Sequence, residues 1–155
     1  MGNFIWHDWA RLVSIAACVY AIWACYWGFF YRKFFWDFVG GTLRDPGGLQ
    51  APKNQAFFID IIVKFPVIQI IVFLHAFFLL ALEWPLPVLK KLPIHRSLAL
   101  RVVLLILQSF LSILFYQGTN ATIYGTIAAF GYTRAIMMGE TMEVAKENRG
   151  SREKA

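Results

Sequence analysis

The chain has 155 residues, of which 59% are hydrophobic, 17% are aromatic and only 15% are charged. An average soluble domain is about 25% charged, and here the apolar residues fall into long runs with the charges between them, which indicates a chain whose solvent is lipid. The net charge of +6 raises nucleic acid as a partner. The cations flank apolar runs, however, so anchoring at lipid headgroups explains them and nucleic-acid binding is excluded.

Four apolar segments have the length of about 20 residues that crosses about 30 Å of hydrocarbon. We therefore predict an all-α integral membrane protein with four transmembrane helices and a polar cytoplasmic tail at 139–155. Only Gly118 and its neighbours separate the last two helices, which must form a tight antiparallel hairpin. The predicted spans are about 9–31, 58–82, 98–117 and 119–138.

Small residues form stripes in the first and fourth spans, where they let helix backbones approach closely. Cys18 and Cys25 lie seven residues apart on one helix face, too far to form a disulfide, and are interpreted as packing residues. The stripes pack either the bundle itself or a partner protein, and the presence of two favours a partner. Their members are Ser14, Ala17, Ala21, Ala24 or Cys25, and Gly28 in the first span, and Ala121, Gly125, Ala129 and Thr133 in the fourth.

The second span carries an acid–base pair, a proline and a histidine. Asp60 and Lys64 are one turn apart in the order that favours an ion pair, and Pro66 permits a kink. His75 lies mid-span, where one histidine does not make a bis-histidine haem site. We interpret it as a hydrogen-bond donor or acceptor to a neighbouring helix.

Two arginines lie near the ends of the last two spans. In an antiparallel hairpin Arg101 and Arg134 reach similar depth on one side of the membrane. Each side chain either extends to the headgroups or pairs with an acid, such as Glu83 or Glu140 or an acid on a partner chain, and the first interpretation is preferred.

The cations predict the orientation, because positively charged loops stay in the cytoplasm. An even number of spans places both termini on one side together with the loop 83–97. That side is predicted to be cytoplasmic, since it collects more lysine and arginine than the loop after Tyr31. Its cations are Arg11, Lys90, Lys91, Arg96, Arg101, Arg134, Lys146, Arg149, Arg152 and Lys154. Asn120 begins a formal glycosylation site, which is interpreted as an unmodified turn at the membrane surface.

No set of residues with catalytic, cofactor-binding or metal-binding spacing is present. The residues alone therefore indicate a small four-span membrane protein that is a subunit or scaffold rather than an enzyme.

Three groups of residues resemble the small, light-chain subunit of the NADPH oxidase flavocytochrome b. The start MGNFIWHDWA has that family's Trp and Trp-Ala spacing, and Leu82 to Pro85 reads LEWP where the family has LE-aromatic-P. The segment from Arg101 to Glu140 is similar to the last two spans of the family without a gap. After the first span, Arg32, Trp36 and Phe38 match an R-x-x-x-W-x-F pattern.

The resemblance implies a non-catalytic subunit that binds and stabilises a larger membrane subunit. That partner would carry haem and FAD, oxidise NADPH and produce superoxide, and the complex would occupy the endoplasmic reticulum, the plasma membrane or both. The tail lacks the proline-rich PxxP motif of the animal family, and the loop at about 40–55 is an insertion, so a divergent, fungal-type relative is implied. The residues expected at the partner interface are Trp6, Trp9, Arg32, Trp36, Phe38, Glu83, Pro85, Arg101, Gly125, Ala129 and Arg134.

Two alternatives remain open at this point. A small transporter or channel subunit would need polar residues along a path through the membrane. A general assembly factor of the endoplasmic reticulum would have many client proteins instead of one. The candidate path residues are His75, Gln69, Gln108, Ser109 and Ser112.

Overall fold

The computed structural model describes residues 4–32, 54, 56–84 and 97–141. In these ranges the protein is entirely helical, with no strand. The helices are α1 (Trp6–Phe30), α2 (Ala56–Ile59, continued by a π-helical turn, Asp60–Lys64), α3 (Val67–Glu83), α4 (Leu98–Ile113) and α5 (Thr119–Met137).

The four long helices α1, α3, α4 and α5 form an antiparallel bundle. Helices α1 and α4 each pack against both α3 and α5 and lie diagonally across from one another. At one end, which we call the terminal end, the backbone N–H of His7 donates to Glu140 at 2.8 Å. At the other, the hairpin end, the side-chain amide of Gln117 donates to the carbonyl of Tyr31 at 2.5 Å.

The predicted tight hairpin between α4 and α5 is confirmed. A short 3-10 turn, Tyr116–Gly118, joins the two helices. A Cβ atom at Gly118 would collide with the backbone carbonyl of Ser112, so only glycine fits this turn. Just beyond it, the hydroxyl of Thr122 donates to the carbonyl of Ser109 at 3.0 Å, which fixes how α5 lies along α4.

The predicted second span, about 58–82, is interrupted at Phe65 and Pro66. The segments Ala56–Lys64 and Val67–Glu83 meet at an angle of 62°, because Phe65 is extended and Pro66 cannot donate the hydrogen bond that would continue the helix. The expected ion pair precedes the break, with Lys64 Nζ 2.6 Å from the Asp60 carboxylate. The predicted kink at Pro66 is thus confirmed as a complete break.

The two stripes of small residues lie largely inside the bundle. The presence of two stripes is therefore no longer an argument for a partner protein. Most of their members are buried, although Thr133 is exposed. A Cβ at Gly28 would lie 3.1 Å from Gln69 of α3, and one at Gly125 would collide with the Ser109 hydroxyl of α4. Cys18 and Cys25 are buried free thiols, as predicted.

The outer surface of the bundle is rich in large apolar residues, and several polar groups are buried within its mainly apolar interior. Each long helix exposes large apolar side chains, whereas the interior contains fully buried charged and amide groups. Exposed examples are Leu12, Trp23, Leu74, Phe77, Val103, Phe110, Ile123 and Phe130. Buried polar examples are Ser14, Gln69, Glu83, Arg101, Gln108 and Ser112.

By length and apolar composition, α1 is sufficient to cross a membrane, and the bent pair α2–α3 is a second candidate if it counts as one span. Among the described residues, the other two long helices do not meet both criteria. Helix α4 is apolar but too short, and α5 does not satisfy length and apolar composition together. A buried helix of a soluble protein meets the same criteria, so this result by itself is weak evidence.

Candidate functional site: a carboxylate shared by four helices

A buried ion pair lies between α3 and α4 near the terminal end. Glu83, the last residue of α3, is 2% exposed, and Arg101, in the first turns of α4, is 1% exposed. The Arg101 Nε lies 3.6 Å from Glu83 Oε1, and a second guanidinium nitrogen donates to the carbonyl of Leu82 at 3.0 Å. The expectation that Arg101 extends to the headgroups is therefore wrong, and the alternative of pairing with Glu83 is confirmed.

The other two long helices also contribute to this carboxylate. From α5, the Tyr132 hydroxyl donates to Glu83 Oε1 at 2.7 Å. From α1, Arg11 Nε donates to the backbone carbonyl of Glu83 at 3.1 Å, and Arg11 lies close enough for its charge to act on the carboxylate. The Arg101 guanidinium is 5.8 Å from the Tyr132 ring centroid. Glu83 is thus the point at which all four long helices meet.

Such a site holds charge in a low-dielectric interior, where each unpaired ion would cost several kcal/mol (about 3–5 after relaxation). Two cations and a hydroxyl compensate the single carboxylate. The groups present are suited to holding helices in register or to binding a proton or polar group. Among the described residues, no group of three His, Cys, Asp or Glu side chains is placed to hold a metal ion.

A second carboxylate closes the terminal end. Glu140 follows α5 after Gly139, whose φ of +70° turns the chain back toward α1. Its two oxygens accept hydrogen bonds from the backbone N–H groups of Trp6 at 3.1 Å and His7 at 2.8 Å. These N–H groups have no partner within their own helix, and the negative charge also suits the positive end of the helix dipole.

Further polar groups continue from Glu83 toward the hairpin end. Ser14 lies beside Glu83, and the Cys18 thiol lies beside Ser14 and Gln108. The Gln108 amide is fully buried and has no hydrogen-bond partner among the residues that the structure describes. The His75 Nε2 donates to the carbonyl of Leu104 at 3.0 Å, which confirms its predicted bond to a neighbouring helix.

The structure brings together two of the predicted interface residues, Glu83 and Arg101. Trp6 and Trp9 lie at the terminal end with their ring centroids 5.9 Å apart. Arg134 is exposed near the end of α5. A partner role for these residues stays a prediction.

The remaining interface candidates lie elsewhere. At the hairpin end Arg32 donates to the carbonyls of Phe29 at 3.2 Å and Lys64 at 2.8 Å, so its guanidinium joins the ends of α1 and α2. Gly125 and Ala129 are buried by the chain itself. Trp36, Phe38 and Pro85 lie outside the described residues.

Sequence reasoning missed Tyr132, Arg11 and the capping role of Glu140. Tyr132 looked like one more aromatic residue in an apolar span, and Arg11 looked like a surface anchor. Their positions in the sequence give no sign that they meet Glu83, because that contact depends on how α1 and α5 pack around α3.

The comparison with protein families gives one match, which covers residues 1–140 and is described as a domain of unknown function, DUF7727. The chain belongs to this family. The DUF7727 match includes α1 to α5 and ends at Glu140, the residue that caps α1. No curated protein matches the chain. No solved structure matches it either.

Proposed function

We propose that the protein is an integral membrane bundle in which α1, α2–α3, α4 and α5 make four crossings. The apolar outer surface carries this proposal, because it involves all four long helices and not only the two that meet the length criterion. Apolar side chains on the outside of every helix favour lipid as the surrounding solvent. The buried polar groups would then be the means by which the helices recognise one another, since lipid provides no hydrophobic drive for association.

The dimensions of α1 agree with this proposal. Arg11 at the terminal end and Tyr31 at the hairpin end are separated by 20 residues, or about 30 Å of helix, which equals the thickness of a bilayer core. Both are residue types found at the membrane interface. The excess of lysine and arginine in the sequence near the two termini and between α3 and α4 supports a cytoplasmic location for both termini.

The role that we propose for this bundle is that of a non-catalytic accessory subunit. Its partner is the catalytic membrane subunit of an NADPH oxidase, which carries haem and FAD, uses NADPH and makes superoxide. The resemblance of the sequence to the oxidase light chain supports this assignment. Two residues that carry the resemblance, Glu83 and Arg101, belong to the shared-carboxylate site, so the resemblance extends to groups that hold the bundle together.

The decisive experiment is purification of the tagged full chain from its native membranes in mild detergent. We expect one dominant partner with a haem absorption spectrum, and loss of that partner and of superoxide production in cells that lack this chain. Haem that is retained by the chain without a partner would contradict the non-catalytic role. An oxidase of undiminished abundance and activity in those cells would contradict the assignment to this complex.

The main alternative is a transporter or channel subunit, favoured by the buried amides of Gln69 and Gln108 and the buried hydroxyl of Ser112. Toward the hairpin end, however, the interior of the bundle is apolar, because the side chains of Val72 and Phe115 are fully buried there. This apolar section interrupts the polar path that a channel would need. Solute flux in liposomes that contain the purified chain, reduced by Gln108→Leu, would favour this alternative. A pull-down with many partners in place of one would favour the general assembly factor of the endoplasmic reticulum.

A further inference from the structure

A stripe of aromatic side chains runs along the outer face of α1 and meets α5. Tyr20, Trp23 and Trp27 follow one another at helical spacing and are 39%, 61% and 38% exposed. Tyr124 of α5 stacks on Tyr20, with ring centroids 4.9 Å apart and an interplanar angle of 15°. Each of these four side chains ends in an O–H or N–H group, and together they form what we call the donor face.

The centre of the donor face lies in the middle of the bilayer if the bundle spans the membrane as proposed. Tyr20 is nine residues beyond Arg11 and eleven before Tyr31, or about 14 Å and about 17 Å along the helix. Stacking places Tyr124 at the same depth as Tyr20. Tyrosine and tryptophan normally occupy the headgroup region, where water satisfies their polar atoms, so a pair of exposed tyrosines at this depth is unusual.

The polar atoms of the donor face differ from those of the exposed threonines of α5. On α5 the hydroxyls of Thr126 and Thr133 each donate to a carbonyl of their own helix at 2.8 Å. The rings of Tyr20 and Tyr124 hold their hydroxyls away from the backbone, and neither hydroxyl makes a hydrogen bond within the described residues. Hydrocarbon provides no acceptor, so such groups are costly until one is supplied from outside the chain.

We propose that the donor face binds a transmembrane helix of a partner protein that presents a hydrogen-bond acceptor oxygen at mid-bilayer depth. This inference rests on the proposed membrane insertion and on the accessory role, but not on the partner being an oxidase. A second copy of this chain, docked face to face, would oppose the N–H groups of Trp23 and Trp27, which donate but do not accept. Lipid tails have no acceptor, so a polar partner helix fits the face best.

The arrangement of the rings also suits a binding surface. Trp23 lies edge-on to Trp27 with centroids 5.7 Å apart, and Trp27 stacks on Tyr31 at 5.9 Å. Rings held by their neighbours lose little conformational freedom on binding. Tyrosine and tryptophan are also the residue types that dominate the energy of protein interfaces.

The test uses the full chain in native membranes with p-benzoylphenylalanine, a photo-crosslinking residue, at position 23. The matched control places it at Phe110, which is 62% exposed on α4, diagonally across the bundle. We expect an adduct from position 23 and not from position 110. Mass spectrometry of the adduct should identify a transmembrane segment of a second protein with an Asn, Gln, Asp, Glu, Ser or Thr near its centre.

Two substitutions then test the hydroxyl groups. Tyr20→Phe and Tyr124→Phe keep both rings and remove one oxygen each. Each should reduce adduct yield by about threefold to tenfold, the effect of one interhelical hydrogen bond in a membrane. Tyr26→Phe makes the same change nearer the hairpin end and should leave the yield unchanged. Unaltered melting temperatures in detergent would show that the variants remain folded.

Several outcomes would overturn the proposal. They are an adduct with lipid alone, an adduct between two copies of this chain, equal adducts from positions 23 and 110, or equal yields from Tyr20→Phe, Tyr124→Phe and Tyr26→Phe. Release of the chain from membranes by alkaline carbonate would instead contradict the membrane insertion itself. A cross-linked partner without haem would overturn only the oxidase assignment and leave the donor face as an interface.

Discussion

At the scale of single residues, the central interaction is the contact of Glu83 with groups from all four long helices. The Arg101 guanidinium, the Tyr132 hydroxyl and Arg11 surround it. Because Glu83 and Arg101 are almost fully buried, neither charge obtains compensation from solvent. The pair therefore affects stability mainly because removing one member leaves the other as an unpaired buried charge.

Replacing Arg101 with methionine should lower the free energy of unfolding by about 3–5 kcal/mol, because Glu83 is left without its nearest cation. Adding Glu83→Gln should recover much of this loss, since the amide oxygen still accepts from Tyr132 and carries no charge. Unfolding by SDS in mixed micelles measures both variants. Arg134→Met, an exposed position on α5, is the control, and a loss as large as that of Arg101→Met would contradict the explanation.

The contact between Gly125 and Ser109 gives a second residue-level prediction. A Cβ at position 125 collides with the Ser109 hydroxyl, and within the described part of the chain that hydroxyl has no hydrogen-bond partner. Gly125→Ala should therefore destabilise the bundle by about 1–3 kcal/mol through overpacking. Ser109→Ala alone should be nearly neutral, and Gly125→Ala should cost much less when it is introduced into the Ser109→Ala background. Additive effects of the two substitutions would show that they do not interact.

At the scale of secondary-structure elements, side chains cap the ends of several helices. The Ser97 hydroxyl accepts a hydrogen bond from Leu100 N–H at the start of α4, and the Glu140 carboxylate performs the same role for α1 from the opposite end of the chain. Arg32 joins the carbonyl ends of α1 and α2. These contacts tie together elements that are distant in sequence.

The α4–α5 hairpin depends on the absence of a side chain at position 118. Gly118→Ala should be strongly destabilising, by about 3 kcal/mol or more, because the colliding Ser112 atoms belong to the backbone and are unable to rotate away. Gly139→Ala is the comparison. Its Cβ meets no atom within 4 Å, and its positive φ costs only about 1–2 kcal/mol. The melting temperature in detergent should fall further for Gly118→Ala than for Gly139→Ala. The opposite result would contradict the steric account.

At the scale of the whole molecule, the fold is a bundle with an apolar surface and an interior in which a few polar groups are buried among apolar ones. Small residues bring α1, α3, α4 and α5 close together, and polar contacts between helices then determine their register. A soluble bundle would aggregate with this surface, whereas a bundle in lipid needs these features to associate.

Membrane insertion with four crossings predicts that alkaline carbonate leaves the chain in the membrane fraction. It also predicts that tags at the two termini report the same side. In sealed vesicles of known orientation, protease should remove both tags or neither, and both should be accessible from the cytoplasmic face. A three-crossing protein would lose one tag only. That result would mean that the bent pair α2–α3 enters and leaves the membrane on one side.

The sequence by itself determined the helical class and nearly all of the helix positions, because long apolar runs and the Gly118 turn are local signals. It also indicated Glu83 and Arg101 as unusual, since isolated charges beside apolar runs stand out. The break at Pro66 was only partly predictable, because proline allows either a kink or a complete stop.

Only the tertiary structure decided that the small-residue stripes pack the bundle, that Tyr132 and Arg11 reach Glu83, and that Tyr20 and Tyr124 share an outer face. Each of these depends on which helices are neighbours and how they are rotated. Small and aromatic residues suit a helix–helix contact, an interior position or a lipid-facing surface equally well, so their roles emerge only when the helices are packed together.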